Sequence, residues 1–176
     1  VPLRVVSLYP GHTDNVAALG GGELLVGVSE NDDSDLFPNL PRFSPKAGAE
    51  SILAAKPDVV LLRGQVERMN PNLSGVLARA GVRVEVLDPP GWDGFADYLR
   101  ALAGVLGLEP EAGVRRLETL RTEIAAEARA ARGERSAPRV LVEATARELH
   151  TCAPDSWAAQ LVALAGGGNA AAGAAP

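Results

Sequence analysis

The chain has 176 residues, of which 47% are hydrophobic and only 4% aromatic, so a packed core would consist mostly of Ala, Val and Leu. The formal net charge is −5, and no stretch combines dense Lys and Arg with aromatic residues, which excludes a basic nucleic-acid-binding surface. Apolar runs are broken well short of a membrane span, and the lone Cys152 excludes an internal disulfide.

Apolar runs and helical patterns alternate along the first hundred residues, which predicts βαβ units and a largely parallel sheet. The expected strands are Leu3–Leu8, Leu24–Val28, Val59–Leu62 and Val82–Leu87, and the expected helices are Thr13–Leu19, Ala49–Ala55, Asn72–Ala80 and Gly94–Leu106. Gly20 and Gly81 each follow a predicted helix, where a C-cap favours glycine. Lys56-Pro57-Asp58 ends one helix before the next strand. The fold class is therefore α/β, with a Rossmann-like N-terminal lobe.

A long helix is predicted from Pro110 to Arg132, because Pro suits a first helical turn and Gly133 follows the last. Twenty-three residues make a helix of about 34 Å. Its apolar stripe consists of Leu117, Leu120, Ile124 and Ala128, while charged residues form a solvated face. A strand then begins at Val140. One more helix follows, with Asp155 or Ser156 as N-cap and Gly166 as C-cap.

The part of the chain after the long helix is too short for a complete lobe, because a stable sheet usually needs three strands or more. We expect an N-terminal lobe over 1–108, a connecting helix over 109–133 and a partial second lobe over 138–176. The alternative is a single domain in which Val140–Glu143 joins the first sheet. Since the chain begins at Val1 and its only methionine is Met69, we expect that a leader was removed, which is consistent with export.

The stretches RVVSLYP, ALG, LLVGVS and ESILAAKPDVVL, in this order and spacing, resemble the N-terminal lobe of the substrate-binding proteins of ABC importers for iron chelates and cobalamin. TCAPDSWAAQLVALAGGGNAA resembles the opening of the second lobe in that family, so the resemblance covers essentially the whole chain. The family's second lobe normally continues for several more strands and helices, which implies that this chain is truncated there.

The resemblance implies two α/β lobes joined by a rigid helix, with the ligand in the cleft between them and only modest hinge motion. It implies a periplasmic or cell-surface-anchored protein that captures a metal chelate, such as a ferric siderophore, heme or a cobalamin-like molecule. Delivery would be to an ABC permease of the inner membrane, without enzymatic chemistry and without a cofactor. Exposed edges of an incomplete second lobe would favour self-association.

Ligands of open α/β sheets bind outside the carboxyl ends of the strands, so the turns after the predicted strands should line the cleft. His12 would lie at its lip, near helix N-terminal amides that favour an anion. The alternative is that His12 fills a turn and Thr13 caps a helix. The expected ligand-binding residues are Tyr9, His12, Thr13, Glu30, Asn31, Arg42, Phe43, Lys46, Arg63, Trp92, Thr151 and Trp157.

Glu50 occupies the place where family members present an acid to an arginine pocket of the permease; the alternative is a carboxylate favoured by the helix dipole. Cobalamin-binding relatives have aromatic rings in the loop after VGVS and before this acid, where the chain has Asn31 and Ser44. The acidic loop ENDDSD, with Trp92 and Trp157 as the remaining large rings, favours a polar metal chelate over a corrin. Nearby cations are Arg42, Lys46, Arg63 and Arg68.

Other motifs carry no predicted chemistry. GGG at 20–22 follows a helix rather than a strand, the reverse of a phosphate-binding loop. DDSD at 32–35 lacks the glycine and distal glutamate of a calcium loop, which favours a solvated acidic loop. His150, Cys152 and Asp155 lack zinc-site spacing and an orienting third group. We therefore predict no metal site and no catalytic residue. Two further hypotheses are a free-standing α/β sensing or interaction domain and an enzyme using His12 or the His150–Cys152 corner.

Overall fold

A computed structural model of the chain describes residues 1–33, 35–143 and 150–173. The chain forms two compact units. Unit 1 comprises Val1–Pro89 and Ala96–Gly113, and unit 2 comprises Pro90–Phe95 and Val114–Pro176.

Unit 1 is built on a five-stranded sheet with the order β3-β2-β1-β4-β5, in which every neighbouring pair is parallel. The strands are β1 (Val5–Ser7), β2 (Leu25–Ser29), β3 (Arg42–Phe43), β4 (Val59–Leu62) and β5 (Arg83–Val86). In the register of the sheet, Val5 of β1 lies opposite Leu25 on one side and Val59 on the other. The chain winds outward from β1 to β3 and then returns to β4, so the boundary between β1 and β4 is a topological switch point.

The helices of unit 1 are α1 (Pro10–Ala18), α2 (Ala49–Ala54), α3 (Gly64–Met69), α4 (Leu73–Arg79) and, from Ala96 onward, α5 (Phe95–Leu106). Gly20 and Gly81 adopt φ values of +83° and +84°, which confirms both predicted C-caps. A 3-10 turn, Gly22–Leu24, leads into β2.

The core of unit 1 is made by residues of the central strands and by the apolar faces of the helices. β4 is buried at all four positions, because strands of a parallel sheet have both faces covered. Ile52, Leu77 and Leu102 from α2, α4 and α5 are each 0% exposed. The aliphatic core that the composition predicts is therefore present.

Two short elements of unit 1 were not predicted. β3 has only two residues, and it pairs Arg42 with Val28 and Phe43 with Ser29. α3 occupies the corner that the sequence suggested only as a turn after β4. Both elements have too few residues to show the repeated apolar spacing by which a strand or a helix is identified in a sequence.

Unit 2 contains α6 (Glu111–Arg132, from Val114 onward), β6 (Arg139–Val140), α7 (Trp157–Leu164) and β7 (Gly168–Asn169). β6 pairs in parallel with β7, so the alternative in which Val140–Glu143 joins the first sheet is wrong. Ser156 is the N-cap of α7, since its Oγ accepts a hydrogen bond from the Ala159 N–H at 3.3 Å. Gly166 ends the helix with φ +82°, as predicted.

The apolar stripe predicted on α6 is only partly correct. Leu117 and Ala128 are half-buried, but Leu120 and Ile124 are 43% and 42% exposed. The covered face passes through Val114 instead, so the stripe is displaced around the helix from the predicted one. Across the described ranges, no helix has both the length and the apolarity to cross a membrane.

Candidate functional site

Three side chains meet at the carboxyl edge of the unit 1 sheet, where β1, β4 and β5 end. Arg63 Nη1 donates to the Tyr9 hydroxyl at 3.3 Å, and its guanidinium lies 5.0 Å from the centroid of the Tyr9 ring. Arg63 Nε donates to Asp88 Oδ1 at 3.3 Å. The group spans the switch point between β1 and β4 and combines a ring, a cation and an acid at a half-exposed surface.

The Asp88 carboxylate lies over the start of α3. Asp88 Oδ1 also accepts a hydrogen bond from the Gly64 N–H at 3.2 Å. A side chain at position 64 would collide with Asp88 Oδ2 and would lie 3.4 Å from Arg68 Nη1. Because Gly64 has no side chain, the Asp88 carboxylate fits against its backbone N–H, in a small niche that the guanidinium groups of Arg63 and Arg68 border. We call it the Gly64 niche.

His12 lies beneath this surface, with 0% exposure. Its Nε2 is 3.0 Å from the Leu62 carbonyl oxygen and its Nδ1 is 2.7 Å from the Tyr98 hydroxyl. Since a carbonyl can only accept, Nε2 carries the proton and Nδ1 accepts from Tyr98. Burial lowers the pKa of His12, although hydrogen bonds to the backbone oppose this effect. Burial also disfavours the charged form of Tyr98 and therefore raises the pKa of its hydroxyl.

The expectation that the His12 side chain lies at the lip of a cleft is therefore wrong. The ring packs edge-on against Tyr9, with 5.0 Å between centroids, and satisfies both nitrogens inside the core. Thr13 is also fully buried, and its hydroxyl donates to Ser7 Oγ at 2.8 Å. The N-cap of α1 is Tyr9, so Thr13 is not a cap either.

The acidic loop after β2 is not fully solvated. Asp32 is only 7% exposed, and its Oδ2 accepts a hydrogen bond from the Ser29 N–H at 2.8 Å. Burial raises the pKa of the Asp32 carboxyl, while the hydrogen bond from the Ser29 N–H counteracts the rise. The expectation of a solvated acidic loop is wrong for this residue, because its short side chain folds back onto its own turn.

Arg42 holds this loop through backbone carbonyls. Its guanidinium donates to the carbonyl oxygens of Asp32 at 2.7 Å and of Asp33 at 3.3 Å, with longer contacts to Ser29 and Phe37. Arg42 was expected to contact the ligand, but its guanidinium N–H groups donate to backbone carbonyls of this loop instead. We call this arrangement the Arg42 clamp.

Phe43 was also expected in the ligand site, but it is 7% exposed and its ring lies directly on Gly27 of β2. The side chains of Glu30, Asn31 and Lys46 are exposed. Their contact with a ligand stays a prediction, as does the predicted cleft.

In unit 2, an aromatic cluster contains Trp92, Phe95 and Trp157. The two indole rings meet edge-on with 5.4 Å between centroids, and Phe95 lies 5.1 Å from Trp157. Arg121 covers Trp92 at 5.6 Å and pairs with Asp93 at 3.2 Å. Trp92 and Trp157 were expected to bind the ligand. A flat ligand cannot lie between the two indole rings, because they contact each other.

Beside this cluster is a cavity of about 230 Å³, lined by Trp92, Asp93, Arg121, Gln160, Ala163 and Leu164. Gln160 Oε1 accepts a hydrogen bond from the backbone N–H of Trp92 at 2.7 Å. Thr151 is exposed and forms an isolated antiparallel bridge with Glu143. Ligand contact by Thr151, or by the outer faces of the indoles, stays a prediction.

Glu50 is exposed in the first turn of α2, and permease docking through it stays a prediction. Within the ranges that the structure describes, no three His, Cys, Asp or Glu side chains converge as a metal site. The sequence reasoning missed Asp88 altogether. Its signal was available: it is the acid directly after β5, at the edge where the other candidate side chains converge.

No protein-family model matches the chain. It is 30% identical over 175 residues to the vitamin B12-binding protein of Pectobacterium carotovorum subsp. carotovorum (strain PC1). That alignment covers 96% of this chain but 62% of the relative, so the chain spans less than two thirds of that protein's length. The uncharacterized ABC transporter substrate-binding lipoprotein YvrC of Bacillus subtilis (strain 168) is 32% identical over 88 residues, which cover 47% of this chain and 27% of the relative.

Among solved structures, the chain is similar to the periplasmic heme-binding protein RhuT from Roseiflexus sp. RS-1 in its apo form. The TM-score is 0.74 at 30% sequence identity, covering 98% of this chain and 68% of the other.

Proposed function

We propose that this chain, which belongs to the family of substrate-binding proteins of ABC importers, captures a metal chelate at the carboxyl edge of the unit 1 sheet. The observation that carries the proposal is the meeting of Tyr9, Arg63 and Asp88 over the switch point. Ligands of open α/β sheets bind at this place. A ring suits the flat or apolar part of a chelate, and a cation suits its anionic groups.

The role is binding without covalent chemistry. An enzyme that used His12 would need its ring in contact with substrate, yet the ring is fully buried and hydrogen-bonded inside unit 1. The three related proteins are named for binding, which agrees with this role.

Delivery follows from the same family. Relatives are named as a periplasmic protein and as a lipoprotein, so we place this protein outside the cytoplasm, in the periplasm or anchored at the cell surface. Its partner is an ABC permease of the inner membrane, and Glu50 is the residue that docks to it. The Glu50 carboxylate is exposed in the first turn of α2, where an arginine pocket can reach it.

The capture proposal is tested by calorimetric titration and thermal melts with hemin, ferric citrate, a ferric hydroxamate siderophore and cyanocobalamin. We expect saturable binding of at least one chelate. A ligand at about 100 times its Kd raises the unfolding free energy by about 2.7 kcal/mol. The R63Q variant should bind more weakly, while R79Q, which removes an exposed arginine from the end of α4, should bind like the wild type. A cooperative melt with no response to any chelate contradicts the proposal.

Self-association is a further part of the proposal. Leu141 and Leu161 of unit 2 are 65% and 49% exposed, and contact with a second copy would remove their apolar side chains from water. Sedimentation velocity should show a concentration-dependent dimer that the L141S/L161S variant lacks. A wild type that stays monomeric at high concentration rules this part out.

A further inference from the structure

The Gly64 niche has the chemistry of a carboxylate site. Its lining groups are the Gly64 N–H and the Arg63 Nε, which both donate to Asp88 Oδ1, at 3.2 and 3.3 Å. Arg68 Nη1 borders the same space. These groups are a backbone donor and two guanidinium groups, and a guanidinium fork matches a carboxylate in shape and charge.

Asp88 is a weakly held occupant of this niche. Its side chain is 57% exposed and that of Arg63 is 36% exposed. Ion pairs at such exposed positions contribute little free energy, so an incoming carboxylate can exchange with Asp88 at small cost. The Tyr9 ring lies on the other side of the Arg63 guanidinium, which places an aromatic surface beside the niche.

We infer that the chelate taken by this site carries a free carboxylate, and that this carboxylate displaces Asp88 from Arg63 and the Gly64 N–H. The inference deepens the proposed function and rests on it. Asp88 then serves as an internal substitute for the ligand while the site is free. Asp88 balances the charge of Arg63 while the site is free. It also selects for charged ligands, because a neutral chelate gains nothing from breaking the Arg63–Asp88 pair.

Two variants separate displacement from a merely structural Asp88. D88A removes the competing carboxylate. G64A changes no charge but adds a methyl group that collides with a carboxylate oxygen in the niche, whether it belongs to Asp88 or to the ligand. Gly64 does not have a positive φ and starts α3, so alanine fits its backbone. E23Q, which neutralises an exposed acid outside the niche, is the control for the change of charge in D88A.

The experiment titrates these variants with hemin and with hemin dimethyl ester, which differ only in their two carboxylates, and with ferric citrate and cyanocobalamin. For the carboxylate-bearing chelate that the wild type binds, D88A should bind about two- to fivefold more tightly. G64A should bind it about tenfold more weakly. The dimethyl ester should bind more weakly than hemin to the wild type, and that difference should disappear in G64A.

The outcomes are distinguishable. If the wild type binds cyanocobalamin or the dimethyl ester as tightly as the acids, the inference is overturned and the proposed function stands. The same holds if D88A weakens binding or if G64A leaves it unchanged, provided that the thermal melt shows a folded variant. If no chelate binds the wild type, the proposed function fails, and the inference fails with it.

Discussion

The imidazole Nδ1 of His12 lies 2.7 Å from the hydroxyl oxygen of Tyr98, which is 86 residues further along the chain. Through Nε2, the same ring reaches the Leu62 carbonyl at the end of β4. One buried side chain therefore ties α1 to α5 and to β4, the strand that Arg63 directly follows. The carboxyl edge of the sheet is built on this connection.

Removing the Tyr98 hydroxyl leaves a buried imidazole nitrogen without its donor. We expect Y98F to lower the free energy of unfolding by about 1–3 kcal/mol, measured by urea denaturation. Y9F is the matched control: Tyr9 is half-buried and its hydroxyl only accepts from a half-exposed Arg63, so it should cost less. Equal losses in the two variants would contradict the role of the His12–Tyr98 bond.

Burial of His12 predicts how stability depends on pH. Because burial lowers its pKa below the ordinary 6.5, the unfolded chain binds this proton more readily than the folded one. The free energy of unfolding should therefore decrease as the pH falls through about 6.5, and this decrease should end below the folded-state pKa. Urea denaturation between neutral and mildly acidic pH measures it. H12Q should show a shallower dependence than the wild type. Identical pH profiles of H12Q and wild type would refute this account.

The Arg42 clamp predicts a local effect on the loop after β2. R42K keeps the charge but cannot reach several carbonyls with a planar fork. We expect faster amide hydrogen exchange over residues 29–33 and 35–37, and a loss of about 1–3 kcal/mol in global stability. K46Q, at an exposed cation on the following connection, should leave the exchange unchanged. Unaltered protection in R42K would show that the clamp does not order the loop.

Two glycines should respond in opposite directions to alanine. At Gly27, a methyl group would collide with the Phe43 ring, so G27A should lower stability by about 1–3 kcal/mol. Gly104 lies inside α5, with nothing within 4 Å of the position of a Cβ. G104A should therefore raise stability by about 0.5–1 kcal/mol. Thermal or urea denaturation measures both, and a neutral G27A would show that Phe43 repacks freely.

Docking through Glu50 predicts a defect in delivery without a defect in binding. E50Q should bind its chelate like the wild type but stimulate the ATPase of its reconstituted permease less. E23Q neutralises another exposed acid and should behave like the wild type. Equal stimulation by E50Q and E23Q would remove Glu50 from the interface.

Much of unit 1 was predictable because its signals are local. Gly20 and Gly81 mark helix ends through a backbone conformation that glycine adopts at little cost, and the runs around Val59–Leu62 identify a buried strand. The long helix was recognised from length and caps, but its covered face was only partly predicted, because Leu120 and Ile124 are exposed. The apolar spacing alone did not show that the covered face passes through Val114.

The candidate site was harder to predict, because its contacts are distant in sequence. His12 looked available, since a polar ring at a strand-to-helix corner usually faces water. Its burial depends on Tyr98, and no local pattern around His12 indicates that partner. Arg42 and Phe43 were placed at the correct edge, but a sequence does not distinguish an arginine that holds carbonyls from one that waits for a ligand.

The hydrogen bonds of the Arg42 clamp that the structure describes all go to main-chain carbonyl oxygens, which are the same whatever the side chain. The side chains at positions 30, 31, 33 and 35 can therefore be replaced without removing an acceptor from the clamp. Natural drift, or a designed library, could vary this loop at little cost to the fold. The loop after β2 can thus change its side chains while Arg42 keeps the course of its backbone constant.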